Sequence, residues 1–256
     1  MKKTAIIIPC YNESNRIVKS NFIHACDILQ DVDIIFVDDC SEDNTGSILL
    51  ELQDNRPGQI FVVHLPKNSG KAEAVRNGVK FALQKDYDYI GYWDADLSTP
   101  LSSVDIFIDQ LIKNPGLDIV MGARVKLLGR SISRLTSRHY LGRIFATCAS
   151  MVLRLPVYDT QCGAKLFRNS SLLYKIFEEP FATKWIFDVE LLARYIVMSD
   201  KNIHQIIAQK ILEYPLESWT HIPGSKIQIK DYLISGFDLF RIWYRYRKEL
   251  DGEKNS

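Results

Sequence analysis

Long apolar runs are missing from this 256-residue chain. Its longest stretches without a charged residue, Pro57 to Pro66 and Ile144 to Leu153, span ten residues each, half of the roughly 20 that a membrane-spanning helix needs. A secretory leader is not expected either: Lys2 and Lys3 precede the apolar Ala5 to Ile8, but Pro9 and Asn12-Glu13-Ser14-Asn15 end that run too early. Cysteine is sparse. Cys10, Cys26, Cys40, Cys148 and Cys162 are odd in number and contain no Cys-x-x-Cys spacing, which argues against a disulfide framework or a thiolate zinc site. These absences point to a cytoplasmic protein with reduced thiols. With only 13 glycines, 9 prolines and 46% hydrophobic residues, a disordered or fibrous chain is excluded, and the length suffices for one large α/β domain.

Net charge is also nearly absent, at +1, but only in the sum. Residues 1–118 carry 11 basic and 18 acidic side chains, net −7, while residues 119–256 carry 21 and 13, net +8. Between Val120 and Tyr158 there are seven Arg or Lys and no acid. A second basic group, Arg241, Arg245, Arg247 and Lys248, is interleaved with Phe240, Trp243, Tyr244 and Tyr246.

What is present in the first half is alternation. Ala5–Ile8, Asp33–Val37, Gln59–His64 and Tyr89–Trp93 read as buried strands, each followed by a polar break and a segment of helical periodicity. Such a series forces parallel pairing with helices on both faces of the sheet. Leu117–Met121 reads as a further strand and Ser131–Leu155 as a long helical region, with Leu141, Ile144, Phe145, Cys148, Met151, Val152 and Leu155 at helical spacing. Asp251–Ser256 reads as a disordered tail.

In open sheets of this kind ligands bind beyond the carboxyl ends of the strands. Those ends carry Pro9-Cys10-Tyr11-Asn12-Glu13, then Asp38-Asp39 to Asp43 and Thr45, then Asp94-Ala95-Asp96. Three acidic clusters on one rim repel each other unless a cation or hydrogen-bond donors compensate them. Few hard oxygen ligands suit Mg2+ or Mn2+, which bind through one or two carboxylates plus substrate phosphates. The loop from Lys67 to Gly78 lacks both the P-loop and the dinucleotide glycine patterns, so kinase-like and dehydrogenase-like readings fail. No nucleic-acid module is recognisable, and no nucleic-acid partner is expected.

Taken in order, Pro9 to Glu13, Val37-Asp38-Asp39-Cys40-Ser41 to Thr45, Asn68 to Gly78 and Asp94-Ala95-Asp96 resemble the family 2 glycosyltransferases of GT-A fold. Later segments, Gly122-Ala123-Arg124, Asp159 to Phe167, Trp185 to Leu192 and Trp219 to Lys226, look like the polyprenyl-phosphate sugar synthases, in particular the dolichyl-phosphate glucosyltransferases. The resemblance implies a GT-A domain over residues 1–230, with a nucleotide-sugar half at 1–118 and an acceptor half at 119–230, then a basic amphipathic helix at 231–250. The Trp219 to Ser225-Lys226 pattern is more like the glucosyl than the mannosyl enzymes, so glucose from UDP-glucose is favoured and mannose from GDP-mannose comes next. Mannose synthases often have Gln where this chain has Ser98, a departure that removes one possible metal ligand and leaves both sugars open.

The site residues the resemblance implies follow the motifs. Pro9, Tyr11, Glu13, Val37 and Asp39 hold the nucleoside; Lys71, Asp94 and Ala95 meet the nucleotide-sugar; Asp94 and Asp96 ligate Mg2+ or Mn2+, with Asp96 the direct ligand. Arg124, Arg134, Gln161 and Lys226 bind acceptor or donor phosphate, with Arg130 and Arg138 as near alternatives. The expected acceptor is a polyprenyl or dolichyl phosphate, and membrane contact is expected to be peripheral. Asp96 and Asp188 are the catalytic candidates; for Asp188 a base is read ahead of orienting an arginine or capping a helix, while Glu190 two residues on is open between a structural and a functional role. If the acceptor is instead a glycan hydroxyl, Asp188 is its base. A non-catalytic nucleotide-sugar or lipid-phosphate binding protein is the alternative of another class.

Overall fold

Ala5 to Ile8 is apolar at every position because both faces of its strand are covered. In the computed structural model, which describes residues 3–133, 136–199, 207–222 and 229–250, all four are fully buried. Ala5 and Ile7 face the core under one helical layer, and Ile6 and Ile8 face the core under the other. The strands are β1 (Thr4–Cys10), β2 (Val32–Asp38), β3 (Ile60–His64), β4 (Tyr89–Tyr92), β5 (Ile119–Ala123), β6 (Ser131–Ser133), β7 (Lys165–Arg168), β8 (Ile211–Pro215) and β9 (Ser218–Thr220). The helices are α1 (Lys19–Ile28), α2 (Thr45–Asn55), α3 (Lys71–Ala82), α4 (Ser103–Lys113), α5 (Thr136–Leu153), α6 (Ser171–Glu178), α7 (Phe187–Met198) and α8 (Ile229–Leu250).

Seven strands form the central sheet in the order β3-β2-β1-β4-β7-β5-β8. β1 pairs in parallel with β2 and β4, β2 with β3, and β5 with β8. The exception is β7, antiparallel to both β4 and β5. That reversal positions the site: residues preceding β7, rather than following it, share the rim with the ends of β1, β2 and β4. Tyr92 pairs with Lys165 there. This is a mostly parallel α/β sheet with helices on both faces, as the alternation predicts.

Three sequence expectations need correcting. The strand expected at Leu117–Met121 lies two residues later, at Ile119–Ala123. The helix expected from Ser131 starts at Thr136, because Ser131-Ile132-Ser133 alternates with period two, buries only Ile132 and pairs in parallel with Ser218-Trp219-Thr220. The apolar stripe of α5 is split: Ala146, Ala149 and Leu153 are buried, whereas Leu141, Ile144 and Met151 point outward, Met151 at 75% exposure. The basic helix expected at 231–250 is α8. It packs on α5 and α7 through Leu239, Ile242, Tyr246 and Leu250, and leaves Phe237, Phe240, Trp243 and Tyr244 exposed. The tail at 251–256 lies outside the described residues.

Candidate active site

The turn after β1 and the turn after β2 are tied together by their own polar side chains. Asn12, at φ 50°, receives a hydrogen bond on its amide oxygen from Glu42 N (2.8 Å) and donates its own N–H to Ser41 Oγ (3.0 Å). Asp43 accepts from Ser14 N (3.2 Å), Ser14 Oγ (2.6 Å) and Thr45 N (2.9 Å). Burial opposes ionisation, but these bonds together outweigh it and lower its carboxyl to about 2. Asp39 closes the set: it accepts from Ser69 N (2.8 Å) and Gly70 N (2.7 Å) at the start of α3, where a carboxylate is favoured. Burial pushes its pKa up, and the two amides only partly offset that. Gly70 sits at φ 90°, a conformation that demands glycine.

Asp94 and Asp96 follow β4. Lys71, the first residue of α3, donates to Asp94 Oδ1 at 2.6 Å. Asp96 accepts from Ser98 N (3.0 Å) and lies 3.6 Å from Arg16 Nη1. The same guanidinium grips Glu13 through Nε (2.6 Å) and Nη2 (2.5 Å). Burial disfavours the charged forms of Lys71 and Asp94, but neighbouring charges prevail: Asp94, Asp188 and Asp96 hold the ammonium pKa above its ordinary value, and Lys71, Arg124 and Lys165 hold the Asp94 carboxyl below its own.

The opposite wall is the segment entering β7. Arg124 forms a bidentate pair with Asp159 (2.6 and 2.7 Å), while Glu213 of β8 receives Tyr158 N (2.7 Å) and Asp159 N (2.8 Å). The fully buried Lys165 donates to Thr160 O (2.9 Å), Cys162 O (2.7 Å) and Asp188 Oδ1 (2.5 Å). Tyr92 Oη donates to the same Asp188 oxygen (2.5 Å), and burial together with that carboxylate raises the tyrosine pKa well above its usual value. Asp188 is 3% exposed and neutralises Lys165. Glu190 faces elsewhere, bonded by Ala182 N, Arg194 and Tyr246, and ties α7 to α8. Lys165→Met leaves a buried carboxylate without its counter-ion and is expected to cost about 3–5 kcal/mol in urea unfolding; a loss below about 1 kcal/mol contradicts this account of the pair.

Between the two walls lies a cavity of about 570 Å³. Pro9, Tyr11, Glu13, Asp39, Lys71, Asp94, Ala95, Asp96, Arg124, Gln161 and Asp188, singled out from sequence, all line it. Val37 does not: it is fully buried in the core beneath α3, because its side chain points to the face of β2 opposite the neighbouring Asp38. Arg134 and Lys226 fall outside the described residues, as does the side chain of Arg138. Sequence reading missed three cations on the lining, Arg16, Arg143 and Lys184. Arg16 carried a signal, its i+3 spacing from Glu13. Arg143 lies in the acid-free segment, stacks over the Tyr158 ring at 3.8 Å and donates to Tyr158 O (3.0 Å). Lys184 had no signal.

Among the described residues no group of three or more His, Cys, Asp or Glu side chains gathers as a metal cage. Asp94 and Asp96 supply hard oxygen donors at a cavity wall. Two carboxylates of this kind fit Mg2+ or Mn2+, which complete their shell with water and phosphate oxygens, and do not fit tetrahedral zinc.

Known proteins match this chain in sequence and fold. A dolichyl-phosphate beta-glucosyltransferase of Trichomonas vaginalis is 29% identical over 259 residues, covering 96% of this chain and 72% of that protein. Those of Saccharomyces cerevisiae and Mus musculus are each 30% identical, covering 88% and 96% of this chain and 69% and 76% of their own lengths. In fold, the glucosyl-3-phosphoglycerate synthase of Mycobacterium tuberculosis, crystallised with Mn2+ and UDP-glucose, superposes with a TM-score of 0.68 at 16% identity, over 100% of this chain and 81% of the other. The model of glycosyl transferase family 2 matches residues 5–173. With that match spanning most of the chain, and a GT-A sheet carrying its acidic rim, the protein belongs to glycosyl transferase family 2.

Proposed function

We propose that the protein transfers a hexose, glucose from UDP-glucose before mannose from GDP-mannose, to the phosphate of a polyprenyl or dolichyl phosphate, with inversion at the anomeric carbon. The observation that carries the acceptor class is the state of the carboxylates. Glu13, Asp39, Asp94, Asp96, Asp159 and Asp188 line the cavity, and each is engaged by an arginine, a lysine or backbone amides. A sugar hydroxyl needs a carboxylate ready to take its proton. A phosphate monoester, with a second pKa of about 6, is already largely dianionic at neutral pH, and needs only cations to hold it in line.

In this reading Tyr11 packs on the base, and Pro9, Glu13 and Asp39 bound the nucleoside. Asp94 and Asp96 hold Mg2+ or Mn2+. When bound, the cation neutralises the charge growing on the departing diphosphate. Lys71 adds a second positive charge at the same end. Arg124 and Gln161 face the acceptor phosphate from the far wall, and Arg134 and Lys226 keep that assignment from their sequence pattern. The dolichyl-phosphate beta-glucosyltransferases among the relatives support both the glucosyl donor and the lipid-phosphate acceptor. The donor is tested by isothermal titration in Mn2+: UDP is expected to bind at least about tenfold tighter than GDP, and a preference for GDP turns the reading toward mannose.

Acceptors of this kind sit in membranes. No described helix is long and apolar enough to cross one. The outward Leu141, Ile144 and Met151 of α5 and Phe237, Phe240 and Trp243 of α8, beside Arg241, Arg245 and Lys248, support peripheral contact with an anionic surface on the cytoplasmic side. Replacing Phe237, Phe240 and Trp243 together by serine is expected to reduce co-flotation with phosphatidylserine vesicles by more than about tenfold, since each ring contributes on the order of 1 kcal/mol or more. Undiminished flotation contradicts the membrane assignment of this face.

A further inference from the structure

We infer that Lys71 and Arg16 are resident counter-ions of the two metal-binding carboxylates, and that yielding them couples binding of the divalent cation to binding of a nucleoside diphosphate. The inference rests on the metal and donor reading above and adds to it an order of dependence between the two ligands. Two adjacent carboxylates on one rim repel each other and are stable only with compensating charge. Here each has its own cation: Lys71 Nζ at 2.6 Å from Asp94, and Arg16 Nη1 at 3.6 Å from Asp96. Both cations line the cavity.

The two are built to be given up. Arg16 is anchored by Glu13 through Nε and Nη2, so its planar guanidinium keeps Nη1 at the rim; the 3.6 Å contact is loose enough for Asp96 to leave it for a cation, which frees Nη1 for a phosphate oxygen. Lys71 carries its charge on a flexible stem at the first turn of α3, whose amino end itself favours an anion. A divalent cation arriving alone must take oxygen ligands from Lys71 and sit beside two positive charges. A diphosphate arriving alone meets two carboxylates. Together they exchange partners: the cation takes Asp94 and Asp96, and Lys71 and Arg16 turn to the phosphate oxygens. Each ligand then removes an obstacle to the other, and the coupling is reciprocal.

The test measures free Mn2+ by electron paramagnetic resonance with the full chain, in the presence and absence of UDP, so no sugar transfer is involved. In the unaltered protein UDP is expected to tighten Mn2+ binding by about tenfold or more. Lys71→Gln is expected to bind Mn2+ alone more tightly than the unaltered protein, by about threefold or more, and to show at least about threefold less enhancement by UDP. Arg16→Gln is expected to shift both quantities in the same direction by less, given its longer contact, and Lys71→Arg to restore the enhancement. Both residues are partly exposed, and an unchanged melting curve confirms folding. If Mn2+ alone binds neither variant more tightly and the enhancement is the same in all chains, the counter-ion inference is overturned while the metal and donor reading stands. If the unaltered protein binds neither Mn2+ nor UDP, both fall.

Discussion

Asp96→Asn is expected to lower turnover by about three orders of magnitude and to abolish its dependence on Mn2+ or Mg2+. The substitution is isosteric, and its remaining carbonyl oxygen still accepts from Ser98 N, the bond that shapes the turn. What is removed is one negative charge of the pair proposed to hold the cation, and with it several kcal/mol of stabilisation of the leaving diphosphate. Initial rates against Mn2+ concentration, with a melting curve as control, check this. A variant within about tenfold of the unaltered rate contradicts the assignment of Asp96. On the proposed membrane reading, vesicle association is expected to persist in this variant; an enzyme then loses turnover and keeps association, whereas a protein whose function is binding alone has no metal-dependent turnover to lose.

Gly163→Ala has the second largest expected effect. A Cβ at this position would lie 1.9 Å from Asp94 Oδ2 and 2.2 Å from its Cγ, so the carboxylate has to leave its place. What gives way is the end of the Asp94 side chain, the functional group itself. The Lys71 pair at 2.6 Å breaks with it. A displacement of about 1 Å at a reacting centre costs on the order of 100-fold in rate. The expected result is that loss in kcat together with weakened Mn2+ binding, measured on protein that still shows a cooperative unfolding transition. A variant that loses less than about threefold would mean that Asp94 does not act from the position seen here.

The features that sequence made legible are those set by local periodicity. Buried runs such as Ala5–Ile8 and the acidic turns behind them fixed the parallel half of the sheet and placed Asp39, Asp94 and Asp96 on one rim, where they are found. The antiparallel β7 was not legible, since four residues, Lys165 to Arg168, carry no mark of direction. That strand matters because it brings the Asp159–Gly163 segment against Asp94. Helical spacing in α5 identified an apolar stripe but not its side: Met151 and Leu153 are equally apolar in sequence, yet one is exposed and the other fully buried. Only the packing of α8 and α7 around α5 decides that.

Long-range pairing explains what remained open at Asp188. Its partners are Lys165, 23 residues away, and Tyr92, 96 residues away, and no sequence rule connects them. Seen alone, an acid near the site is as good a base as a strut. Seen with two donors on one oxygen and 3% exposure, it is tied through Lys165 to Thr160 O and Cys162 O, a set of contacts that supports the strut. Arg143 illustrates the same limit. The acid-free segment announced cations, but which of its seven Arg and Lys face the cavity depends on where α5 crosses the rim.

The central claim is that the acceptor is a phosphate on a lipid rather than a hydroxyl on a glycan. The direct measurement incubates the full chain with UDP-glucose, Mn2+ and polyprenyl phosphate in phospholipid vesicles, beside parallel reactions with GDP-mannose and with oligosaccharide acceptors, and identifies products by mass spectrometry. The expected product is a polyprenyl phosphate carrying one β-linked hexose, formed from UDP-glucose in preference to GDP-mannose, with no extended oligosaccharide. An oligosaccharide extended by one sugar, with no lipid-linked hexose from either donor, would contradict it.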